Sequence, residues 1–186
     1  MEITPKSLYV QAVDKQRIAI IGSKRKLIGE IILHVLKHHN RKADYATDTK
    51  SDINPTSAPM IIYETERPDL EQFQHHIVIL SSGAVNHTEA ICNNTPKSGV
   101  IIFPDDDSAL KTIATKERVD VSSISYKPYK HERIGNQFVL ISSEGKKFPV
   151  RFNSDEELEA AGAAKELLKK IGITSAQFYQ AIQTFE

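Results

Sequence analysis

The sequence predicts an α/β fold, a mostly parallel sheet between helices with a small antiparallel section, and three observations carry that expectation. Four short runs, 17–21 (RIAII), 60–63 (MIIY), 76–80 (HIVIL) and 100–103 (VIIF), are nearly continuous in apolar residues. Strands buried on both faces of a parallel sheet read this way. Polar, helix-compatible segments separate the runs, which is the strand–helix order of an α/β domain. The last third changes to a hairpin followed by two amphipathic helices.

In chain order, residues 1–16 read as an N-terminal extension and 17–186 as one domain, in keeping with a prior of about 100–200 residues per domain. After the first strand, Leu27, Ile28, Ile31, Ile32 and Val35 recur at helical spacing to about Lys37, and the helix ends near Asn40. Residues 44–57, rich in Asp, Asn, Ser and Thr, read as a loop. Residues 108–116 suit a helix capped by Asp107 or Ser108. The antiparallel section is expected from 119–152, where 137–141 and 148–152 flank SSEGK. Gly145 serves that turn and Pro149 marks an edge strand. Asp155, Glu156 and Glu157 favour a helix N-terminus, Leu158, Ala161, Leu168 and Ile171 form its apolar stripe, and Gly172 ends it. Thr174 and Gln177 form a capping box for a last helix with Phe178, Ala181, Ile182 and Phe185 on its apolar face.

Composition excludes several classes. Lys and Arg number 24, Asp and Glu 24, and the basic residues are scattered among the acidic ones. A nucleic-acid partner would want a basic stripe, so none is expected. No apolar run approaches the roughly 20 residues of a membrane span, and the start of the chain lacks the apolar core of a signal peptide. One cysteine, Cys92, cannot form an internal disulfide and reads as structural. A cytoplasmic protein is the expectation.

The chemistry concentrates in residues 17–45, RIAIIGSKRKLIGEIILHVLKHHNRKADY. A strand runs into Gly22 and Ser23, Lys26 follows four residues after the glycine, and an amphipathic helix comes next. This is the order of a phosphate-binding loop without its second glycine or its hydroxyl. Lys24, Arg25 and Lys26 at a helix N-terminus make a perch for phosphate or sulfate, or else are solvated loop charges. His34, His38 and His39 include an i, i+4 pair with no third ligand nearby and read as helix-surface residues. Asp105, Asp106 and Asp107 read as capping residues in preference to a cation site.

The succession GSKRKLIGEIILHVLKHHN, PMIIYETE, HIVILSSGAVNH, GVIIFPDDDSALKTIA and AAGAAKELLKKIGITSAQFYQAIQTF resembles the central, ATP-binding domain of the Mur ligases, and most of all their muropeptide-ligase branch. The resemblance runs from about Arg17 to Phe185. It implies a P-loop-NTPase-like fold, with ATP and Mg2+ as cofactors and an acyl-phosphate mechanism. On the family's loop, Gly22, Ser23, Lys24, Arg25 and Lys26 fall on the nucleotide-binding positions, with Lys26 matching the phosphate-binding lysine. Arg25 replaces the glycine that allows close backbone approach, and Leu27 replaces the magnesium-binding hydroxyl. Glu64 and His87 match metal-site positions, although Asn86 stands where an aspartate is usual, and the lesser alternative for Glu64 is a core carboxylate. The family's His-Asn pair falls on Glu156 and Glu157, and a neighbouring asparagine on Ala160. The family's N- and C-terminal domains have no counterpart in the sequence.

Losses grouped at the site with an intact scaffold imply a stand-alone, catalytically inactive relative that binds an anionic ligand, nucleotide or phosphate, or a protein partner, in cell-wall precursor (peptidoglycan) metabolism. Two other readings stay open. One is an ATP-dependent amide-forming ligase completed by domains on another chain; the other is a purely structural interaction module.

Overall fold

The computed structural model describes residues 3–53, 57–84, 87–116 and 118–186. They form two compact units, one from Met1–Lys26 and Lys42–Ser125, the other from Leu27–Arg41 and Tyr126–Glu186. The architecture is mixed α/β with a mostly parallel seven-stranded sheet and a small antiparallel sheet.

The first unit is built on β1 (Gln16–Ile21), β2 (Asp44–Thr47), β3 (Ser51–Asp52), β4 (Met60–Glu64), β5 (Ile77–Leu80), β6 (Val100–Pro104) and β7 (Ser122–Tyr126), in the order β3-β2-β4-β1-β5-β6-β7. The central strand β1 runs parallel to β4 and β5, with Ile18 opposite both Ile62 and Ile77. β2 runs parallel to β4, and β5 to β6. Alternation along each strand sends Ala19, Ile21, Ile61, Tyr63, Val78, Leu80, Ile101 and Phe103 to one cluster. Leu8, Leu70, Phe73, Ile91, Cys92 and Leu110 complete that cluster from α1 (Pro5–Gln11), a 3-10 turn (Leu70–Phe73), α3 (Thr88–Asn93) and α4 (Ser108–Ala114). Removing such side chains from water stabilises the fold by roughly 1.5–3 kcal/mol each.

Three expectations are corrected here. Residues 1–16 are not a bare extension. Thr4 and Ser7 form a capping box that starts α1, and Leu8 and Ala12 enter the core. Residues 44–57 are not all loop: β2 pairs with β4, and β3 turns back on β2. Residues 54–56 lie outside the described residues. Part of 119–152 also leaves the antiparallel section, because β7 joins the large sheet beside β6.

Buried charges hold this unit at fixed points. Lys15 and Asp44 pair at 2.6 Å with both side chains almost fully enclosed. Arg17, 6% exposed, donates from Nε to the Gln74 carbonyl at 2.9 Å and from Nη1 to the carbonyls of Ala12, Val13 and Lys15. The turn from α1 into β1 is thereby fixed by one guanidinium.

The second unit contains α2 (Arg25–His38) from Leu27 onward, and β8 (His131–Ile134), β9 (Gln137–Ile141) and β10 (Lys147–Val150), an antiparallel sheet in the order β10-β9-β8. Gly145 takes a positive φ in the turn, and Pro149, opposite Val139, lies on the outer strand β10 as expected. α5 (Asp155–Lys170) and α6 (Ser175–Ile182) follow. The end of α5 is a Schellman motif: Gly172, φ +85°, donates to Lys169, and Ile173 to Leu168. A side chain at Gly162 would collide with the Lys127 carbonyl, so α5 packs flush against that backbone. His34 and His39 are docked, not loose on the helix surface. Their Nε2 atoms reach the carbonyls of Ala181 (3.0 Å) and Gln177 (2.8 Å), both in α6.

His75 makes the first unit's stability depend on pH. It is fully buried, and its Nε2 lies 3.0 Å from Thr95 Oγ1, whose own proton points to the Ile91 carbonyl. Burial, with the neighbouring His76 and Arg17 charges, pushes its pKa down to about 4. The folded pKa lies below the unfolded one. In the window from about 6.5 down to 4 the unfolded chain therefore takes up a proton that the folded chain refuses, and stability falls with pH. A loss on the order of 2 kcal/mol between pH 7.5 and 4.5 is expected from urea unfolding at the two values. His75→Gln should flatten that dependence; an unchanged dependence in the variant would remove His75 as its source.

Candidate functional site

The chain leaves β1 through Gly22, Ser23 and Lys24 and enters α2 at Arg25, so strand, turn and helix follow in the order that the motif requires. Gly22 has φ +103°, and a Cβ there would run into the carbonyl and Oγ of Ser81. Only glycine suits both demands. Ser81, fully buried just after β5, donates from its amide and from Oγ to the Ile21 carbonyl, at 2.9 and 3.1 Å.

The amides of the turn are turned inward. Ser23 N–H donates to the Ser82 carbonyl (2.9 Å), Lys24 N–H to Ser81 Oγ (3.1 Å) and Arg25 N–H to the Gly22 carbonyl (3.3 Å). Ser23 Oγ also donates to the Ser82 carbonyl at 2.8 Å. Arg25 donates from Nη1 to the Gly22 carbonyl at 3.0 Å and forms an ion pair with Glu66. Lys26 is exposed at the first turn of α2.

Beside the turn lies a cleft of about 360 Å³ lined by Ile21, Gly22, Glu66, Arg67, Gly83, Ala84 and Ile91. It opens past the C-terminal ends of β1, β4 and β5, where open α/β sheets place ligands. Its charges are compensated within the protein. Arg67 holds Asp69 through two hydrogen bonds, at 3.0 and 3.3 Å, and the guanidinium keeps the Asp69 carboxyl below its ordinary range. Asp48 accepts from Tyr63 OH (2.7 Å) and Thr65 Oγ1 (2.6 Å), tying the segment after β2 to the end of β4. Burial raises the Tyr63 phenol well above its ordinary value, so it stays a donor.

The expected metal residues are placed as follows. Glu64 closes β4, is 4% exposed, and stands in register with Ile20 and Thr47. His87 is exposed, in a left-handed conformation, immediately before α3. Its neighbour Asn86 lies outside the described residues. Among the described residues, no group of three or more His, Cys, Asp or Glu gathers as a metal site. Magnesium takes oxygen ligands in near-octahedral order, and this donor set does not fit it. Of Glu156 and Glu157 in the first turn of α5, Glu157 is committed to its own helix end, where Oε2 accepts from Ser154 N–H at 2.9 Å. The Ser81–Ser82 anchor and the Asp48 clamp were missed by sequence reasoning; the Ser-Ser-Gly directly after the HIVIL strand was the available signal for the first.

No protein-family model matches the chain, and no curated protein matches it by sequence. Solved structures do, and the class they define is the Mur-ligase fold. UDP-N-acetylmuramate:L-alanyl-gamma-D-glutamyl-meso-diaminopimelate ligase (MPL) from Neisseria meningitides matches over 98% of this chain and 70% of its own, with a TM-score of 0.73 and 12% identity. MurF from Acinetobacter baumannii matches over 98% of this chain and 48% of its own, with a TM-score of 0.72 and 14% identity. The apo form of L. casei FPGS matches over 100% of this chain and 68% of its own, with a TM-score of 0.67 and 8% identity. At such identities the likeness is one of fold. The chain spans about half the length of MurF.

Ser81→Ala tests the inward hydrogen bonding. It removes the acceptor of Lys24 N–H and the donor to Ile21, at an expected cost of about 1–2 kcal/mol. Amide hydrogen exchange should quicken at Lys24 and stay slower at Ser23, whose acceptor is the retained Ser82 carbonyl. Unchanged exchange at Lys24 would show that Ser81 Oγ does not hold the turn.

Proposed function

We propose that the chain is a non-catalytic domain of Mur-ligase fold that binds an anionic ligand, nucleotide or phosphate, without transferring its phosphoryl group. The observation that carries this reading is the use of three consecutive amides, those of Ser23, Lys24 and Arg25, by acceptors within the protein. A phosphate-binding loop works by aiming such amides at the ligand. Here they reach Ser82, Ser81 and Gly22 instead.

The chemistry of the reaction points the same way. Phosphoryl transfer relies on positioning and on metal-assisted charge stabilisation. Leu27 offers no oxygen to a metal, and the Arg25 side chain is paired with Glu66 on the cleft side of the turn. A deficit of about 3 kcal/mol in transition-state stabilisation already slows a reaction more than a hundredfold. The turn also carries two lysines, Lys24 and Lys26, at the start of a 14-residue helix. Such charge attracts a polyanion without orienting it for attack. The Neisseria protein is by its name a ligase of UDP-N-acetylmuramate and a diaminopimelate-containing peptide, and cell-wall precursor metabolism is the setting proposed for this chain.

The test is phosphate release by the purified protein with ATP and magnesium, with and without a UDP-muramoyl acceptor and peptide. Release at background is expected, together with ATP or phosphate binding, read by calorimetry, that Lys26→Ala weakens. Acceptor-stimulated turnover of about one per second or faster would overturn the reading in favour of a working ligase. Absence of any nucleotide or phosphate binding would overturn the anion site.

A further inference from the structure

A second cleft, of about 330 Å³, lies at the other end of the large sheet, where β1 and β5 begin. Arg17, Glu71, Gln74, His76, Asn94 and Pro96 line it. All of them belong to the first unit. None of these residues entered the site described above.

The hydrogen bonds between Arg17 and His76 leave one donor too many. Arg17 backbone N–H points at His76 Nδ1 at 3.0 Å, while His76 N–H is bonded to the Arg17 carbonyl at 2.8 Å. The amide direction is fixed by the backbone, so Nδ1 must supply the lone pair and the imidazole proton sits on Nε2. Arg17 Nη2 lies 3.1 Å from that same Nε2. A guanidinium cannot accept, so two donors face each other there. The other neutral tautomer satisfies Nη2 but sets Nδ1–H against the backbone amide, and the cationic ring satisfies neither. Burial and the Arg17 charge hold the imidazolium pKa of His76 below its ordinary value, which favours the neutral ring.

Charge is unbalanced at the same point. Arg17 is 6% exposed, and its polar partners are four carbonyls and one imidazole. Among the described residues it forms no ion pair with an acid, in contrast to Arg25, Arg67 and Arg118, which pair with Glu66, Asp69 and Asp120. An enclosed guanidinium with only neutral partners is an attractive position for an anion.

We infer that the Arg17–His76 cleft is a binding site for a small oxyanion, one of whose oxygens bridges Arg17 Nη2–H and His76 Nε2–H. That oxygen supplies both the acceptor that the two donors lack and the charge that Arg17 lacks. Gln74 and Asn94 offer amide groups to the rest of such a ligand, and Glu71 opposes its charge from the cleft wall. Carboxylate and phosphate share the required chemistry.

The test is a titration of isotope-labelled full chain with sodium acetate and, separately, inorganic phosphate at constant ionic strength in chloride, observing the His76 ring nitrogens by NMR. A saturable shift of His76 Nε2 is expected with at least one probe; acetate alone identifies a carboxylate site, and phosphate alone a phosphate site. The same titration in Lys26→Ala should be unchanged, which separates this cleft from anion binding at the turn. Glu71→Gln, on a partly exposed 3-10 turn, should tighten binding by about threefold by removing a like charge. His76→Gln should weaken binding, read by calorimetry, by about tenfold, the loss of one charge-assisted hydrogen bond. If Nε2 responds no differently to either probe than to chloride, or if Glu71→Gln leaves the affinity unchanged, the site does not exist.

Discussion

Everything at the C-terminal edge of the central strands depends on how closely the turn after β1 approaches Ser81. Because Gly22 lacks a side chain, the Ser81 carbonyl can occupy the space that a Cβ would take. That approach lets Ser81 bond Ile21 with both its amide and its hydroxyl and accept Lys24 N–H. The exit of β1, the start of α2 and the wall of the cleft are set by this one contact. The desolvation of Ser81 and of the Lys24 amide is offset by the hydrogen bonds each makes there.

Electrostatics separate the two ends of the sheet. Around the upper cleft each guanidinium sits beside an acid, Arg25 with Glu66 and Arg67 with Asp69, and an incoming anion must compete with a carboxylate already in place. These pairs are partly exposed and worth little to stability, about 1 kcal/mol or less each. At the lower end Arg17 is far more enclosed, and its hydrogen-bond partners are carbonyls and an imidazole, none of them charged acids. A structural staple and an anion receptor can coexist in such a residue, because carbonyls satisfy its hydrogens without cancelling its charge.

The parts of the fold legible in the sequence were those with local causes. Apolar runs marked β1, β4, β5 and β6, and local chemistry marked the caps: Asp107 accepts from Ala109 and Leu110, Thr174 from Gln177, and Gly172 takes the left-handed position that ends α5. What escaped were short polar segments whose order comes from distant neighbours. β2 carries only two buried residues, Asp44 and Ala46, and is a strand because β4 offers it an edge. β7, SSISY, is mostly exposed and has no apolar run to announce it. The candidate site divides the same way. The strand–turn–helix of residues 17–38 was legible, whereas the fate of its first two amides was not, since the acceptors of Ser23 and Lys24 lie 59 and 57 residues away in sequence.

Scaffold and chemistry are separable in this fold for a physical reason. The registers of β1 with β4 and β5 rest on apolar contacts that make no use of the turn's amides, so the sheet can persist at 12% identity to a ligase whatever the turn is bonded to. The amides have one hydrogen each and must choose. For Ser23, Lys24 and Arg25 to face a phosphate, three internal bonds must break, at about 1 kcal/mol apiece, and together they lower affinity roughly a hundredfold unless the ligand replaces them fully. A phosphate held by a metal could offset that cost through the metal's own coordination. With Leu27 in place of a hydroxyl, no such compensation comes from the turn, and the inward arrangement is the more stable of the two.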